Sequence, residues 1–463
     1  MKSKKLFQWI RIALFAVVLV GGCVLGFILS LRPAESESEG RELTKFPAFT
    51  VESFLSGEYT SQLGLWYADT FPFRDTLLDL SGDFKGLYGV GDMEFEGYQG
   101  EVDTIGSDTD FVWGEEPPED DTSEEDPPGS DTYPEDESHP EEPGSAEDTT
   151  EDTSEEETGP YSEVIDGYYV EGNTCYELYY YKADLVDRYC RVVVKAAVEL
   201  NGVATVYDMV VPTAYCYGLT PEKVAELGAS DGLAVIDRIY TAIDAYCPQA
   251  GVETPVVTLP VQNVLDQHRN EYIFFRTDHH WTGKGAYYAS RYFLDTVGRS
   301  YPALEDYDTF TYETFLGSLY RHTQNQNLKN DPDFVEAYLS PNVRELTIFR
   351  DNIYQPRPLI DCEVSSTNKY LCFSSGDHEY YEAHNETITD GSAILIIKES
   401  YGNAFIPMLV DSYEYVYAVD YRFWNGDLRA FAEEKGIDTV LFLNNLMATG
   451  GDYTVRCLEK LVD

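Results

Sequence analysis

The chain opens on its longest apolar run. Residues 12–31 carry no charge, and at about 1.5 Å per residue that length crosses a hydrocarbon core of about 30 Å. Lys2, Lys4, Lys5 and Arg11 precede the run, and Glu35, Glu37 and Glu39 follow Arg32. The positive-inside rule puts the N-terminus in the cytoplasm and the bulk of the chain outside. Val20 to Cys23 faintly resembles a lipoprotein cleavage box, but the apolar run continues past it to Leu29. A cleaved signal peptide would carry a shorter apolar region. Residues 1–33 therefore read as a cytoplasmic tip and one uncleaved transmembrane helix, which makes the protein a single-pass component of the cell membrane.

Beyond the anchor, Phe54, Leu55, Tyr59, Leu63, Trp66, Tyr67 and Phe71 recur at roughly helical spacing, with a break at Pro72. Residues 34–113 read as the N-terminal part of an extracytoplasmic domain. From residue 161 to 463 the pattern alternates between short apolar runs and amphipathic stretches. Strands are expected at 204–211, 256–259, 393–397, 415–419 and 439–443. Helices are expected at 222–227, 232–246, 283–297 and 428–435. The run Ala393 to Ile397 is apolar throughout, as a strand buried on both faces should be. Strands alternating with helices imply βαβ units, an α/β fold and a mostly parallel sheet, with ligands beyond the carboxyl ends of the strands.

Charge changes this picture in one place. No Lys or Arg lies between Lys85 and Lys182, and residues 114–160 are almost wholly Glu, Asp, Pro, Ser, Thr and Gly. Such a tract buries too little apolar area to offset its ordering entropy, so it reads as a disordered acidic insertion. It serves as a spacer or cation-gathering brush, or is a tolerated loop. The whole chain holds 83 acidic against 32 basic residues, a formal net charge of -51. That balance excludes nucleic-acid binding through a basic surface. Eight Cys without a C-x-x-C pair argue against zinc ribbons. Cys362 and Cys372 are close enough to staple a hairpin; otherwise the thiols are buried small hydrophobes. The 37 Tyr suit contact with sugars, or reflect composition alone.

Two segments could carry chemistry: Arg276-Thr277-Asp278-His279-His280-Trp281-Thr282 and Lys398-Glu399-Ser400-Tyr401-Gly402-Asn403. Ser400 falls where the strand 393–397 hands over to a helix starting near Asn403, at the carboxyl edge of the sheet. Asp278 and His280 are two apart, so in an extended loop the carboxylate can fix the imidazole tautomer. Together the three meet the logic of a catalytic triad. Taken singly, Ser400 is a helix cap, His280 a structural histidine beside Trp281, and Lys398 and Glu399 a solvated pair. Asp278, His279 and His280 could also hold a metal, although adjacent His side chains point apart. Asn403, Asn444 and Asn445 are candidate oxyanion donors beside the Ser400 or Tyr401 amide. Arg276, Trp281 and Tyr215 are candidate contacts for a glycan or an acyl group.

The segment T-D-H-H-W-T-G-K-G-A-Y-Y at 277–288 resembles the signature of the DHHW family of bacterial envelope proteins. The likeness extends to Y-A-D-T-F-P-F-R-D at 67–75, V-V-P-T at 210–213 and K-E-S-Y-G-N-A-F-I-P at 398–407. That family is similar to the SGNH-hydrolase-like O-acetyltransferases that modify alginate and other exopolysaccharides. The resemblance implies an SGNH-like three-layer sandwich for 161–463. It also implies Ser400 as nucleophile, His280 as base, Asp278 as its carboxylate, and His279 at a variable position. No cofactor or metal is implied. The chain departs from the relatives in lacking a G-D-S block. The function implied is a membrane-anchored serine O-acyltransferase or esterase acting on envelope glycan, with a membrane partner supplying the acyl group. The competing reading is a glycan-binding or scaffold protein that keeps the fold without the chemistry.

Overall fold

The computed structural model describes residues 162–462 apart from 166, 351, 352 and 365, together with short stretches before residue 114. The apolar run 12–31 and the acidic tract 114–160 lie outside the described residues. Among the described residues no helix is long and apolar enough to cross a membrane. The chain divides into two compact units, residues 1–92 with 127–155 and residues 93–126 with 156–463. In the first, Tyr59, Trp66 and Tyr67 are helical, and the helix has ended by Pro72. The Arg32 guanidinium lies 3.8 Å over the Trp66 ring.

The second unit is built on one eight-stranded sheet. Its strands are β1 (Thr205–Val211), β2 (Val257–Thr258), β3 (Glu345–Arg350), β4 (Ile353–Pro358), β5 (Tyr380–His384), β6 (Ala393–Lys398), β7 (Tyr415–Asp420) and β8 (Thr439–Asn445). They lie in the order β4-β3-β5-β7-β6-β8-β1-β2. From β7 to β2 every pairing is parallel. The β5, β3 and β4 strands add in antiparallel fashion. The sheet is therefore mixed, parallel in four of its seven pairings as expected and widened by an antiparallel edge that was not. The link from β3 to β4 is a short hairpin, too short for the crossover that parallel pairing needs. Pro356 and Pro358 stand in β4, the edge strand, where a missing N–H is tolerated.

Side chains alternate across the parallel strands and so divide the core in two. Ala393, Leu395 and Ile397 of β6 face α1 (Ala183–Glu199), α2 (Gly232–Ala250), α5 (Leu428–Lys435) and α6 (Asp452–Glu459). Ile394 and Ile396 face α3 (Gly283–Val297) and α4 (Gly402–Leu409). Caps set the helix limits that the sequence suggested. Thr282 accepts from Gly285 N at the start of α3, and Gly298 ends it at φ 72°. Asp427 and Gly436 bracket α5 in the same way.

The first core holds one polar cluster. Tyr189 of α1 donates to Asp208 Oδ1 of β1 at 2.6 Å, and Asn444 Nδ2 of β8 lies 3.4 Å from the same hydroxyl. Asp208 and Asn444 are both fully buried, and Asp208 Oδ2 and Asn444 Oδ1 have no hydrogen-bond partner. The cysteines described, Cys175, Cys190, Cys216, Cys247, Cys362, Cys372 and Cys457, are all free thiols. No staple joins Cys362 to Cys372.

Candidate active site

The site lies at the carboxyl end of β6. That strand is buried along its whole length and is flanked by β7 and β8. The chain then turns through Glu399, Ser400 and Tyr401 into α4, placing Ser400 at the sheet edge where α/β folds bind ligands. Ser400 is only 6% exposed.

The second half of the site comes from the loop before α3. Asp333, at the start of the strand Asp333–Leu339, anchors that loop. Its buried carboxylate accepts from Arg276 N and Nε, from Thr277 N and Oγ1, and from Tyr272 Oη. The following residues fold back, with Phe274 bridging to Trp281 and Phe275 N donating to His280 O. Three further bonds fasten this loop and its surroundings to the Ser400 turn. Trp281 Nε1 donates to Tyr401 O at 3.0 Å, the Tyr401 hydroxyl donates to His279 O, and the Tyr370 hydroxyl donates to Ser400 O at 3.1 Å. The Tyr370 ring also stacks on the His280 imidazole at 3.8 Å.

These constraints bring Asp278, His280 and Ser400 into one chain of hydrogen bonds. His280 Nε2 is 2.8 Å from Ser400 Oγ, and His280 Nδ1 is 2.6 Å from Asp278 Oδ1. Asp278 Oδ1 also accepts from His280 N, and Oδ2 accepts from Ser318 N at 2.8 Å. Burial alone would raise the Asp278 carboxyl, but the neighbouring His280, with His279 and Arg321, holds it well below the usual carboxylate range. The carboxylate is thus an anion fixed beside Nδ1, which favours the Nδ1–H tautomer and turns Nε2 toward Ser400 Oγ. Gly317 is required by this packing, since a Cβ there would stand 2.1 Å from Asp278 Cβ.

Asp278, His279 and His280 also present ligand-type atoms within 4.8 Å of one another. In this arrangement the Asp278 oxygens accept three N–H groups, and both His280 nitrogens have partners in Asp278 and Ser400. His279 Nδ1 meets Ser318 Oγ.

The other sequence candidates are committed to bonds of their own. Asn403 Nδ2 donates to Asp377 at 2.6 Å, and its Oδ1 accepts from Lys398 Nζ at 2.5 Å. Asn444 belongs to the Tyr189–Asp208 cluster. Asn445 Oδ1 caps the short helix Leu446–Thr449 by accepting from Ala448 N. Trp281 is fully buried, with its indole plane parallel to Phe405. Arg276 is held by Asp331 and Asp333, and the buried Tyr215 hydroxyl donates to Ser230 O. Tyr401 N donates to Glu399 Oε2 at 2.9 Å.

Lys398 and Glu399, expected as a solvated pair, are both buried. Lys398 Nζ reaches Tyr381 Oη and Asn403 Oδ1, with Asp420 at 3.6 Å and Asp377 at 3.7 Å. Glu399 Oε2 is 3.2 Å from Ser400 Oγ, and Oε1 accepts from Asn445 N at 3.0 Å. Sequence reasoning missed Glu399, although two charges at the end of an unbroken apolar strand were a usable signal. Tyr370, Asp333, Gly317 and Ser318 carried no local signal, because the fold alone brings them here.

The chain is similar to several solved structures. A DHHW family protein from Eubacterium siraeum superposes with a TM-score of 0.56 at 26% identity, over 64% of this chain and 96% of that one. Bacillus cereus PatB1 is similar with a TM-score of 0.48 at 16% identity, over 64% of this chain and 99% of its own. The O-acetyltransferase domain of Pseudomonas putida AlgJ follows with a TM-score of 0.35 at 15% identity, over 64% and 96% of the two chains. No curated protein matches in sequence. The DHHW protein family matches residues 39–419, a span that runs from before the Tyr67–Asp75 segment into β7 and includes both halves of the site. The chain belongs to the DHHW family.

Proposed function

We propose that the protein is a serine O-acyltransferase or esterase that works outside the cell membrane on envelope polysaccharide. The hydrogen-bonded series from Asp278 through His280 to Ser400 carries this reading. His280 Nε2 takes the Ser400 proton as Oγ attacks the carbonyl carbon of an acyl donor. The Asp278 carboxylate stabilises the imidazolium that forms. Collapse of the tetrahedral intermediate expels the donor alcohol, which receives the proton from His280. A sugar hydroxyl or water then attacks the acyl-enzyme with His280 again as base. The apolar run 12–31 would anchor the chain as a single pass with its N-terminus in the cytoplasm. A membrane partner would deliver the acyl group, since acyl-CoA is confined to the cytoplasm.

The experiment is intact mass spectrometry of the full chain in detergent after exposure to a fluorophosphonate or an activated acetyl ester. One adduct on the wild type is expected, none on Ser400→Ala, and slow formation on His280→Ala. A folded wild type that takes up no adduct would remove the catalytic reading. A glycan-binding scaffold would then be sought by affinity measurement, where Ser400→Ala should change nothing.

A further inference from the structure

Beside the Ser400 amide, the acyl-serine reading still lacks an assigned side-chain donor for one charged group. A tetrahedral intermediate on Ser400 carries a negative oxygen, and such oxygens need donors already in place. The side chains of Asn403, Asn444 and Asn445 are engaged elsewhere. Besides His280 Nε2, the side-chain polar atom that stands beside Ser400 Oγ is Glu399 Oε2 at 3.2 Å.

We propose that Glu399 is a further catalytic residue that works as a neutral carboxyl, its Oε2–H donating to the oxyanion formed on Ser400. This rests on the acyl-serine reading. Glu399 is fixed at both oxygens, with Oε2 accepting from Tyr401 N and Oε1 accepting from Asn445 N. The side chain therefore bridges the ends of β6 and β8 and cannot swing clear without leaving two buried N–H groups unmet. An ionised carboxylate held there would face the new negative oxygen among buried side chains, where like charges repel strongly. The neutral form reverses the sign of the contact and supplies a donor.

The surroundings favour that form. Burial pushes the Glu399 carboxyl up, and this outweighs the Tyr401 and Asn445 amides, Arg422 and His279, all of which pull it down. Lys398, Tyr370, Tyr401 and Tyr421 also face it. Arg422 is taken up by Asp377 and Asp420. Two carboxyl groups thus flank the Ser400–His280 pair with opposite tendencies, Asp278 held ionised and Glu399 pushed toward neutrality. Groups driven apart in this way mark separate roles. In the step itself the Ser400 proton goes to His280, the Oγ–C bond forms, and the carbonyl π pair becomes the oxyanion. Glu399 keeps its proton throughout and shares it with that oxygen. When the intermediate collapses, the donor's C–O bond breaks and His280 protonates the leaving oxygen.

The test uses the full chain in detergent as wild type, Glu399→Gln, Glu399→Ala and Ser400→Ala. The fluorophosphonate labelling rate is followed against pH, because phosphonylation builds charge on the same oxygen. Glu399→Ala should slow labelling about 10²-fold, the usual loss of one oxyanion donor. Glu399→Gln, a neutral donor that does not ionise but whose nitrogen cannot accept from Tyr401 N, should fall between Glu399→Ala and wild type. It should also lose the alkaline decline expected of the wild type. The infrared difference spectrum of wild type minus Glu399→Gln should show the carbonyl stretch of a protonated carboxyl at neutral pH, whether or not labelling occurs. A Glu399→Ala rate equal to wild type, a Glu399→Gln rate as low as that of Glu399→Ala, or no protonated-carboxyl band would each overturn the proposal alone. A wild type that never labels would instead overturn the acyl-serine reading, and the proposal with it.

Discussion

Replacing Asp208 with Asn should stabilise the protein, and the gain should grow with pH. Asp208 is fully buried in β1, accepts one bond from Tyr189, and has no partner for Oδ2. Burial pushes its carboxyl up to about 7, against only a small opposing pull from the Tyr189 hydroxyl. The folded state therefore holds a proton that the unfolded chain, at about 3.9, gives up. A carboxyl raised on folding contributes stability that is complete below the unfolded value and is lost as pH rises through the folded one. The full loss from about 3 units is about 4 kcal/mol. Between about pH 5 and pH 7, above the isoelectric region, about 2 kcal/mol of it falls within reach. Asn never ionises, keeps an oxygen for Tyr189, and offers an N–H to the neighbourhood of the unpartnered Asn444 Oδ1. Urea unfolding of wild type and Asp208→Asn across this range, followed by near-ultraviolet circular dichroism, gives the difference directly. Every other titrating group cancels between the two proteins. A gap that stays flat with pH would mean Asp208 is ionised in the fold, and the reasoning would fail.

Other outcomes follow from the site. Asp278→Asn should slow fluorophosphonate labelling by about 10⁴-fold, since an amide cannot accept from His280 Nδ1, His280 N and Ser318 N together; labelling at the wild-type rate would refute the orienting role. Gly317→Ala forces a Cβ against Asp278. It should cost about 1–3 kcal/mol in urea unfolding and slow labelling more than tenfold, while wild-type values for both would show that the loop yields freely. Thiol titration of the native protein should find Cys362 reactive first, with the buried thiols among the described residues appearing only on unfolding. A titration that finds Cys362 and Cys372 both oxidised would contradict the free thiols.

The parallel half of the sheet was legible because strands buried on both faces are written as unbroken apolar runs, as in Ala393 to Ile397. Helices α3 and α5 were legible to the residue because Thr282, Gly298, Asp427 and Gly436 mark their ends. The antiparallel extension was not. Glu345, Thr347, Glu382 and His384 interrupt it with polar residues, because that part of the sheet is half-exposed. Helix α1 also escaped notice. Its centre reads Val192-Val193-Val194, which looks like a strand, and no side-chain cap marks its start at Lys182. At the site, Asp278, His280 and Ser400 stood out because each motif is local. The bridge from Glu399 to Asn445 joins residues far apart in the chain. Only the parallel pairing of β6 with β8 makes it short, and no spacing within either motif encodes it.

The prolines of β4 bear on how the molecule behaves in company. An outer strand with exposed Ile353 and Tyr354 is an invitation to a second chain, which could extend the sheet by one more rung. Two of the six positions in β4 have no hydrogen to give. A foreign strand laid along this border would find no donor at Pro356 and Pro358 and would gain little from the greasy tip. The hairpin that widens the sheet thus also ends it, and keeps a crowded array of these proteins from knitting together through their rims.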